Sequence, residues 1–199
     1  MQRRDLNHLL ADIRACTVCA ASLPDGPRPI VQAGPTASIV IIGQAPGRRV
    51  HESGIPWNDP SGDTLRTWLG LAPSAFYDPD IVALVPMGFC YPGAGGSGDR
   101  PPRPECAPLW HESLLACLPA ERLEVIIGTY AQARYIPDRP RTLTETVARW
   151  ATYLPDRVVL PHPSPRNRHW LTKNPWFARE ALPAIRARID EVVVRPGES

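Results

Sequence analysis

Short runs of apolar, mostly β-branched residues recur along this chain and indicate buried strands. The clearest are SIVII at 38–42 and LEVII at 123–127, each followed directly by a glycine, and RVVL at 157–160. Residues 81–85 form a further run of the same kind. Runs without polar alternation are typical of parallel strands covered on both faces. We therefore predict four strands of one buried sheet.

Apolar residues at three- and four-residue spacing predict helices between and after these strands. The predicted helices cover 4–15, 61–70, 104–118, 129–135, 142–150 and a last segment that begins at 174–175. Ser61 is the predicted N-cap of the second helix, and Gly70 is its predicted end. Pro183 is expected to kink or restart the last helix, because proline cannot donate the helical hydrogen bond.

The alternation of strands and helices predicts both a fold and the place of a site. It is typical of an α/β domain with a mostly parallel sheet, here a single domain over 1–199. Ligands in such sheets bind beyond the carboxyl ends of the strands. Three unusual loops each follow a predicted strand, at 43–62, 86–102 and 161–174. We expect the functional residues in these loops.

Composition and charge exclude some classes of function. Apolar residues make up 43% of the chain and charged residues 21%, which is typical of a globular protein rather than a disordered tail. A net charge of +2 gives no molecule-wide attraction for nucleic acid, so an anionic partner must be bound by a local patch. No apolar run approaches about 18 residues, and the N-terminus lacks the apolar core of a signal peptide. We expect a cytoplasmic protein without a membrane span, and a monomer.

Five cysteines supply the most distinctive spacing in the sequence. Cys16 and Cys19 are separated by two residues, which lets both sulfurs face one metal, and 15 residues separate Cys90 from Cys106. Four such thiolates fit a zinc site or an iron–sulfur cluster, although four unrelated core thiols are the alternative. Disulfides are not expected in the cytoplasm. Cys117, within the apolar stretch LLACL, is predicted to be a buried spectator.

The first and last of the three loops contain further candidate chemistry. The turn GQAPG at 43–47 follows a strand, and its backbone amides either contact a ligand or only close the turn. Trp57, in GIPW, either stacks on a nucleobase or caps the core. His162 follows the last strand, where two prolines fix the backbone of His162 and Ser164. The densest basic cluster of the chain lies beside it and contains Arg166, Arg168, His169 and Lys173.

These motifs in this order resemble the uracil-DNA glycosylase superfamily, over about residues 10–190. The four-cysteine framework is similar to the iron–sulfur (family 4) branch, in which such cysteines hold a [4Fe-4S] cluster; zinc is the alternative. The stretch HPSPRN is closer to the second motif of the single-strand-selective monofunctional branch, so the chain resembles a divergent member. The resemblance implies a three-layer αβα fold with a four-stranded parallel sheet.

The resemblance also implies an activity. Such a protein turns a deaminated base, most often uracil, out of DNA and hydrolyses its N-glycosidic bond in base excision repair. It is a monofunctional DNA glycosylase, and its partner is DNA that contains a deaminated base. Extruding the nucleotide costs a few kcal/mol, which an aromatic wall and an inserting loop offset.

Residue by residue, the candidates form four sets. The metal ligands are Cys16, Cys19, Cys90 and Cys106. The base-binding set is Gly43, Gln44, Ala45, Trp57, Asn58 and His162, with Trp57 stacked on the base and His162 donating to its O2. The DNA-binding set is Arg48, Arg49, Ser164, Arg166, Asn167 and Arg168. The catalytic set is His162, with Asp59, His51 and Gln44 as candidates to position the water.

Three features depart from the pattern of the family. Gln44 stands where the iron–sulfur branch usually has Glu, and Ala45 where other branches have Asp or Asn, so the first motif offers no carboxylate base. The stretch 85–89 lacks the asparagine that reads uracil. Either the pocket accepts another deaminated base, or backbone groups and Asn58 replace the missing asparagine. A non-catalytic or altered-specificity nucleic-acid-binding protein on the same fold, and an enzyme acting on a small nucleotide, are the alternatives.

Overall fold

The computed structural model describes residues 5–96 and 98–194, and its centre is a four-stranded sheet in which every neighbouring pair is parallel. The strands are β1 (Ile39–Ile42), β2 (Val82–Leu84), β3 (Leu123–Ile127) and β4 (Arg157–Leu160), in the order β2-β1-β3-β4. One register row crosses all four strands through Leu84, Ile41, Val125 and Val158, and each of these side chains is buried. The predicted parallel sheet is confirmed, with β3 and β4 at their predicted bounds.

Helices flank this sheet and complete the αβα architecture. They are α1 (Leu6–Arg14), α2 (Arg48–Ser53), α3 (Pro60–Leu69), α4 (Pro73–Phe76), α5 (Cys106–Ala116), α6 (Gly128–Tyr135), α7 (Leu143–Ala148), α8 (Trp150–Tyr153), α9 (Arg168–Lys173) and α10 (Leu182–Val194). Short 3-10 turns lie at Ala20–Ser22 and Pro165–Asn167, and a π-helical turn at Phe177–Ala181 leads into α10. Among the described helices, none is long and apolar enough to cross a membrane.

Three of the short helices were not predicted. Helices α2 and α9 lie inside segments that were expected to be loops, and α4 follows the end of α3. Helices of four to six residues show too little periodicity to be recognised, because their stability comes from packing rather than from intrinsic propensity. The predicted helix 142–150 divides into α7 and α8, and residue 4 of the first predicted helix lies outside the described residues.

The start of α3 differs from the prediction in a way that matters for the site. Ser61 is not the N-cap; Asp59 caps the helix, and its Oδ1 accepts a hydrogen bond from the Gly62 amide at 2.8 Å. Pro60 takes the first helical position, where a missing N–H costs nothing. Gly70 ends the helix in the left-handed region, as predicted. The restart expected near Pro183 is found as the change from π-helix to α-helix at Leu182.

A buried histidine joins α5 and α6 to the segment that follows β2. His111 is 1% exposed; its Nε2 lies 3.0 Å from the carbonyl oxygen of Pro86, and its Nδ1 lies within hydrogen-bond distance of the Tyr135 hydroxyl. A carbonyl only accepts, so Nε2 carries the proton and Nδ1 accepts from the tyrosine. Burial lowers the pKa of His111 to about 4, so the ring is neutral at pH 7.

This histidine is expected to make the protein sensitive to acid. The pKa of His111 is about 4 in the folded protein and near 6.5 when unfolded, so the unfolded state binds the proton more tightly. Its contribution to the free energy of unfolding is therefore lost as the pH falls through this window, by about 3 kcal/mol in total. Urea unfolding at pH 7 and at about pH 5 measures the first part of this loss, about 2 kcal/mol.

The control is His111→Gln, which does not titrate. His162 is partly buried and its pKa is also lowered, but it contributes equally to both proteins, so it cancels in the comparison. The difference in unfolding free energy between wild type and His111→Gln should shrink toward acid pH. A difference that is constant with pH would contradict the buried neutral state of His111.

Candidate active site

A cavity of about 460 Å³ opens where the loops after β1, β2 and β4 meet. After β1 it is lined by Gln44, Ala45, Pro46, Gly47, Trp57, Asp59 and Ser61; after β2 by Pro86, Gly98, Asp99 and Arg100; and after β4 by His162, Ser164, Arg166 and Asn167. The volume suits a nucleobase or a small nucleotide. The three loops that the sequence singled out therefore supply the walls of one cavity at the carboxyl edge of the sheet.

Trp57 and His162 border this cavity together. Their ring centroids are 6.0 Å apart, and the ring planes are inclined by 32°. The tryptophan comes from the loop after β1 and the histidine from the end of β4, so the sheet itself sets the spacing between the two rings. A flat ligand in this cavity is offered an aromatic surface and an imidazole donor side by side.

The backbone at Trp57 is in the left-handed region, with φ of +56°. This conformation is costly for a bulky residue and is found where surrounding structure enforces it. Trp57 fits in this position because residues 43 and 62 are glycines without a side chain. A Cβ on Gly43 would lie 2.6 Å from Cζ2 of the indole, and a Cβ on Gly62 would overlap the Trp57 carbonyl oxygen. The same oxygen accepts a hydrogen bond from Arg66 Nη1 at 3.4 Å. The indole is therefore held in one place before any ligand arrives.

His162 is held in a single tautomer. The amide of Ser164 donates to its Nδ1 at 3.2 Å, so Nδ1 is an acceptor and the proton of the neutral ring is on Nε2. Burial lowers the pKa of His162, while the negative charges of Asp59 and Asp99 oppose the shift. Asn167 Nδ2 donates to the His162 carbonyl at 2.7 Å and fixes the backbone there. The ring is a neutral donor at pH 7.

The three candidates for positioning water are placed differently. Gln44 and Asp59 line the cavity. His51 lies on α2 and is not among the lining residues; its ring packs 5.8 Å from Tyr91, and its buried Nδ1 has no hydrogen-bond partner among the described residues. The structure therefore brings Gln44 and Asp59, but not His51, to the cavity.

The DNA-binding candidates also divide into two groups. Ser164, Arg166 and Asn167 line the cavity. The exposed Arg48, Arg49 and Arg168, together with Asn58 of the base-binding set, lie outside its lining. Gly43 is buried beneath the Trp57 ring rather than at the cavity surface, and Ala45 is at the surface.

Sequence reasoning missed a cavity residue that carries charge, Asp99. It belongs to the glycine-rich loop after β2, whose path is set by contacts with distant parts of the chain. Its neighbours Gly98 and Arg100 also line the cavity. The sequence of that loop has no periodicity from which the position of Asp99 could be predicted.

The four predicted metal ligands surround one small apolar cavity of about 10 Å³. Cys90 and Cys106 are buried, and Cys16 and Cys19 are partly exposed. Burial, and to a smaller extent the neighbouring thiols, raise the pKa of Cys90 and of Cys106 to about 11 each. Cys117 is outside this cavity and, contrary to the prediction, is partly exposed rather than buried.

These thiols meet the chemical requirement of an iron–sulfur cluster. Four sulfurs from three segments of chain, in apolar surroundings that include Phe89 and Trp110, are the donor set that such clusters take. Among residues 5–96 and 98–194, no three His, Cys, Asp or Glu side chains are arranged to hold a metal ion. The four cysteines are the residue type that such a cluster takes, but their arrangement is not that of a metal site, so the cluster stays a prediction.

A cavity at the carboxyl edge of a parallel sheet, bounded by an aromatic ring and a histidine, is typical of a small-ligand site in an α/β protein. Comparison with protein families gives a match to the Uracil DNA glycosylase superfamily over residues 31–186, well over half of the chain. The chain belongs to the uracil DNA glycosylase superfamily, as its motifs predict. Membership implies, in general terms, a hydrolase that acts on DNA as a glycosylase.

The matched region contains every lining residue of the active-site cavity except Ile30, and also Cys90 and Cys106. Cys16 and Cys19 precede it. Assignment to the iron–sulfur branch therefore stays a prediction.

Proposed function

We propose that this protein is a monofunctional DNA glycosylase that excises a deaminated base, uracil first among them, in base excision repair. The observation that carries the proposal is the pairing of Trp57 with a neutral, tautomer-fixed His162 on one cavity. Membership of the superfamily supplies the reaction class. The positions of Trp57 and His162 indicate how the protein promotes this reaction, as follows.

The aromatic ring accepts the extruded base. Turning a nucleotide out of the helix costs a few kcal/mol, and stacking on an aromatic side chain returns about 1–3 kcal/mol. Because Trp57 is already held in its unusual backbone conformation, little further ordering is needed when the base arrives. The loop with Ser164 and Asn167 borders the same cavity and fills the space beside the base.

His162 stabilises the leaving group. Cleavage of the glycosidic bond leaves negative charge on the base, including its O2, and positive charge on the sugar. The Nε2–H of the neutral ring donates to that oxygen and binds it more strongly as charge develops. Asp59, held by the Gly62 amide at the start of α3, places a fixed negative charge at the cavity, which favours the cationic sugar.

Binding to the DNA backbone is assigned to local arginines. The net charge of +2 is too small to attract DNA to the molecule as a whole. Arg48, Arg49 and Arg168 are exposed, and Arg166 borders the cavity. Contacts from these side chains to phosphates make the affinity fall steeply with salt.

A second candidate function is an altered-specificity or non-catalytic nucleic-acid-binding protein. It is favoured by the cavity wall after β2, where Pro86 lies at the surface and no asparagine is present in 85–89. Asp59 and His162 in the cavity favour the enzyme instead. A released base distinguishes the two candidates.

The decisive experiment uses labelled single- and double-stranded oligonucleotides that contain uracil, hypoxanthine or xanthine. After incubation with the protein, alkali cleaves any abasic site into a shorter strand. We expect cleavage with uracil, and an intact strand when an unmodified oligonucleotide is used. Tight binding with no cleavage of any of the three substrates would establish the binding protein in place of the glycosylase.

We also propose that Cys16, Cys19, Cys90 and Cys106 hold a [4Fe-4S] cluster, with zinc as the alternative. The support is the single apolar cavity that these four thiols line. When bound, the cluster braces the N-terminal segment against α5 and the segment after β2. Hydrolysis of a glycosidic bond transfers no electrons, so no redox step is assigned to it.

Replacing one ligand is expected to abolish the cluster. Protein purified without oxygen should show visible thiolate-to-iron absorption and bind iron and sulfide in equal numbers. Cys90→Ser should lose both signals, because a hydroxyl is a poor ligand for iron. Cys117→Ser is the matched control and should retain them, since Cys117 lies outside the cysteine cavity. Purified protein with zinc in place of iron would contradict the assignment.

A further inference from the structure

The loop between Cys90 and Cys106 reaches from the cysteine cavity to the active-site cavity. Its backbone folds back on itself: Arg100 donates to the Gly93 carbonyl at 2.9 Å, and Ala94 pairs with Asp99 in an antiparallel bridge. The tip of the loop packs against the loop after β4. Gly98 lies so close to the Arg166 guanidinium that a Cβ on Gly98 would collide with it. The fold-back carries Asp99 to the rim of the active-site cavity.

Asp99 and Asp59 face the same space. A Cβ on Gly47 would lie 3.4 Å from Oδ2 of Asp99 and 3.9 Å from Oδ2 of Asp59, so both carboxylates are directed at the bare Cα of this glycine. His162 lines the same cavity, and both negative charges oppose the lowering of its pKa by burial. The gap beside Gly47 is therefore bordered by two carboxylate oxygens from separate elements.

The two carboxylates differ in their surroundings. Asp59 uses Oδ1 as the N-cap of α3, and the helix terminus stabilises its negative charge. The carboxylate of Asp99 makes no hydrogen bond or ion pair within 5–96 and 98–194, and Asp99 is exposed to solvent. Two carboxylates in different environments commonly take different roles in glycoside hydrolysis.

We infer that Asp99 positions the hydrolytic water and accepts its proton, while Asp59 remains a fixed anion. This inference rests on the proposed glycosylase function. The water oxygen bonds to the sugar C1′ as the C1′–N bond breaks, and that electron pair leaves with the base. One water proton passes to Asp99 and then to solvent; the base anion takes a proton from solvent. His162 keeps its own proton throughout.

The test is a single-turnover excision assay with Asp99→Asn. The rate of the chemical step should fall by about 10²-fold, as for the loss of a general base, while the Kd for DNA that contains uracil stays within a factor of two or three. Asp99→Glu should recover part of the rate, because it restores the carboxylate. Asp138→Asn, which removes an exposed carboxylate outside the cavity, is the control and should behave as wild type.

Gly47→Ala tests the geometry without changing charge. The methyl group fits at ordinary contact distance and the backbone of Gly47 is extended, so the fold should be retained, but the space between the carboxylates is filled. We expect a slower chemical step. An Asp99→Asn rate within two-fold of wild type would overturn the inference and leave the glycosylase intact. A wild-type protein that excises no base would instead overturn the proposed function.

Discussion

Replacing His162 by alanine is expected to lower the rate of base excision by about 10²–10³-fold, the usual cost of losing one donor to a developing anion. The reason is the fixed geometry of this ring: Ser164 holds Nδ1, burial keeps the ring neutral, and Nε2–H is left for the base. Binding of DNA in the ground state should change little, because the bond to O2 strengthens only as charge develops. Single-turnover excision and DNA binding, measured on the same preparations, separate the two effects.

The control for this variant is His169→Ala. His169 is exposed on α9, within the same basic cluster, and does not line the cavity. It should excise uracil at the wild-type rate. His162→Ala with an unchanged rate, in a protein that still unfolds at the wild-type urea concentration, would show that another group stabilises the leaving base.

Replacing Trp57 by alanine is expected to cost about 10–100-fold in kcat/KM, because base stacking is worth about 1–3 kcal/mol. Trp57→Phe should retain much of the activity, since it keeps an aromatic surface. Comparison of the two variants tests whether the indole stacks on the base or only packs against the core. An alanine variant with wild-type kcat/KM would leave the indole with a purely structural role.

Trp57→Gly separates the ring from its backbone. Glycine adopts a φ of +56° without strain, whereas alanine does not. Both variants lose the ring and should lose activity equally. The glycine variant should nevertheless unfold at a higher urea concentration than the alanine variant, by about 1 kcal/mol in the free energy of unfolding. Equal stability of the two would show that the strain is relieved once the indole is removed.

The sheet and the family were predictable because their signals are local. Largely apolar runs such as LEVII are typical of parallel strands covered on both faces, and β3 begins and ends where that run does. The positions of Trp57 and His162 at one cavity follow from the rule that parallel strands end at a common edge. The motifs GQAPG and HPSPRN then indicated the family that the matched region confirms.

The rest depended on contacts between distant residues. Asp59 displaces Ser61 as the cap of α3 because Pro60 begins the helix, a choice between two capping residues that spacing alone leaves open. Asn167 was predicted from the sequence to contact DNA, whereas in the structure its side-chain amide donates a hydrogen bond to the His162 carbonyl. Asp99 reaches the cavity only because its loop folds back toward Gly93 and the loop after β4.

The hydrogen bond from the Ser164 amide to His162 Nδ1 limits what the imidazole can contribute. Because Nδ1 already accepts a hydrogen bond from a backbone amide, no protein group can deliver a proton to the ring to replace one lost from Nε2. The imidazole therefore stabilises the negative charge by a hydrogen bond and does not transfer its proton. In the proposed reaction, the departing heterocycle therefore leaves as its conjugate base. Bases that are more acidic are then better leaving groups, so the rate of excision depends on the acidity of the base as well as on its shape. This dependence can select a substrate even in a pocket that offers few side-chain amides to the base.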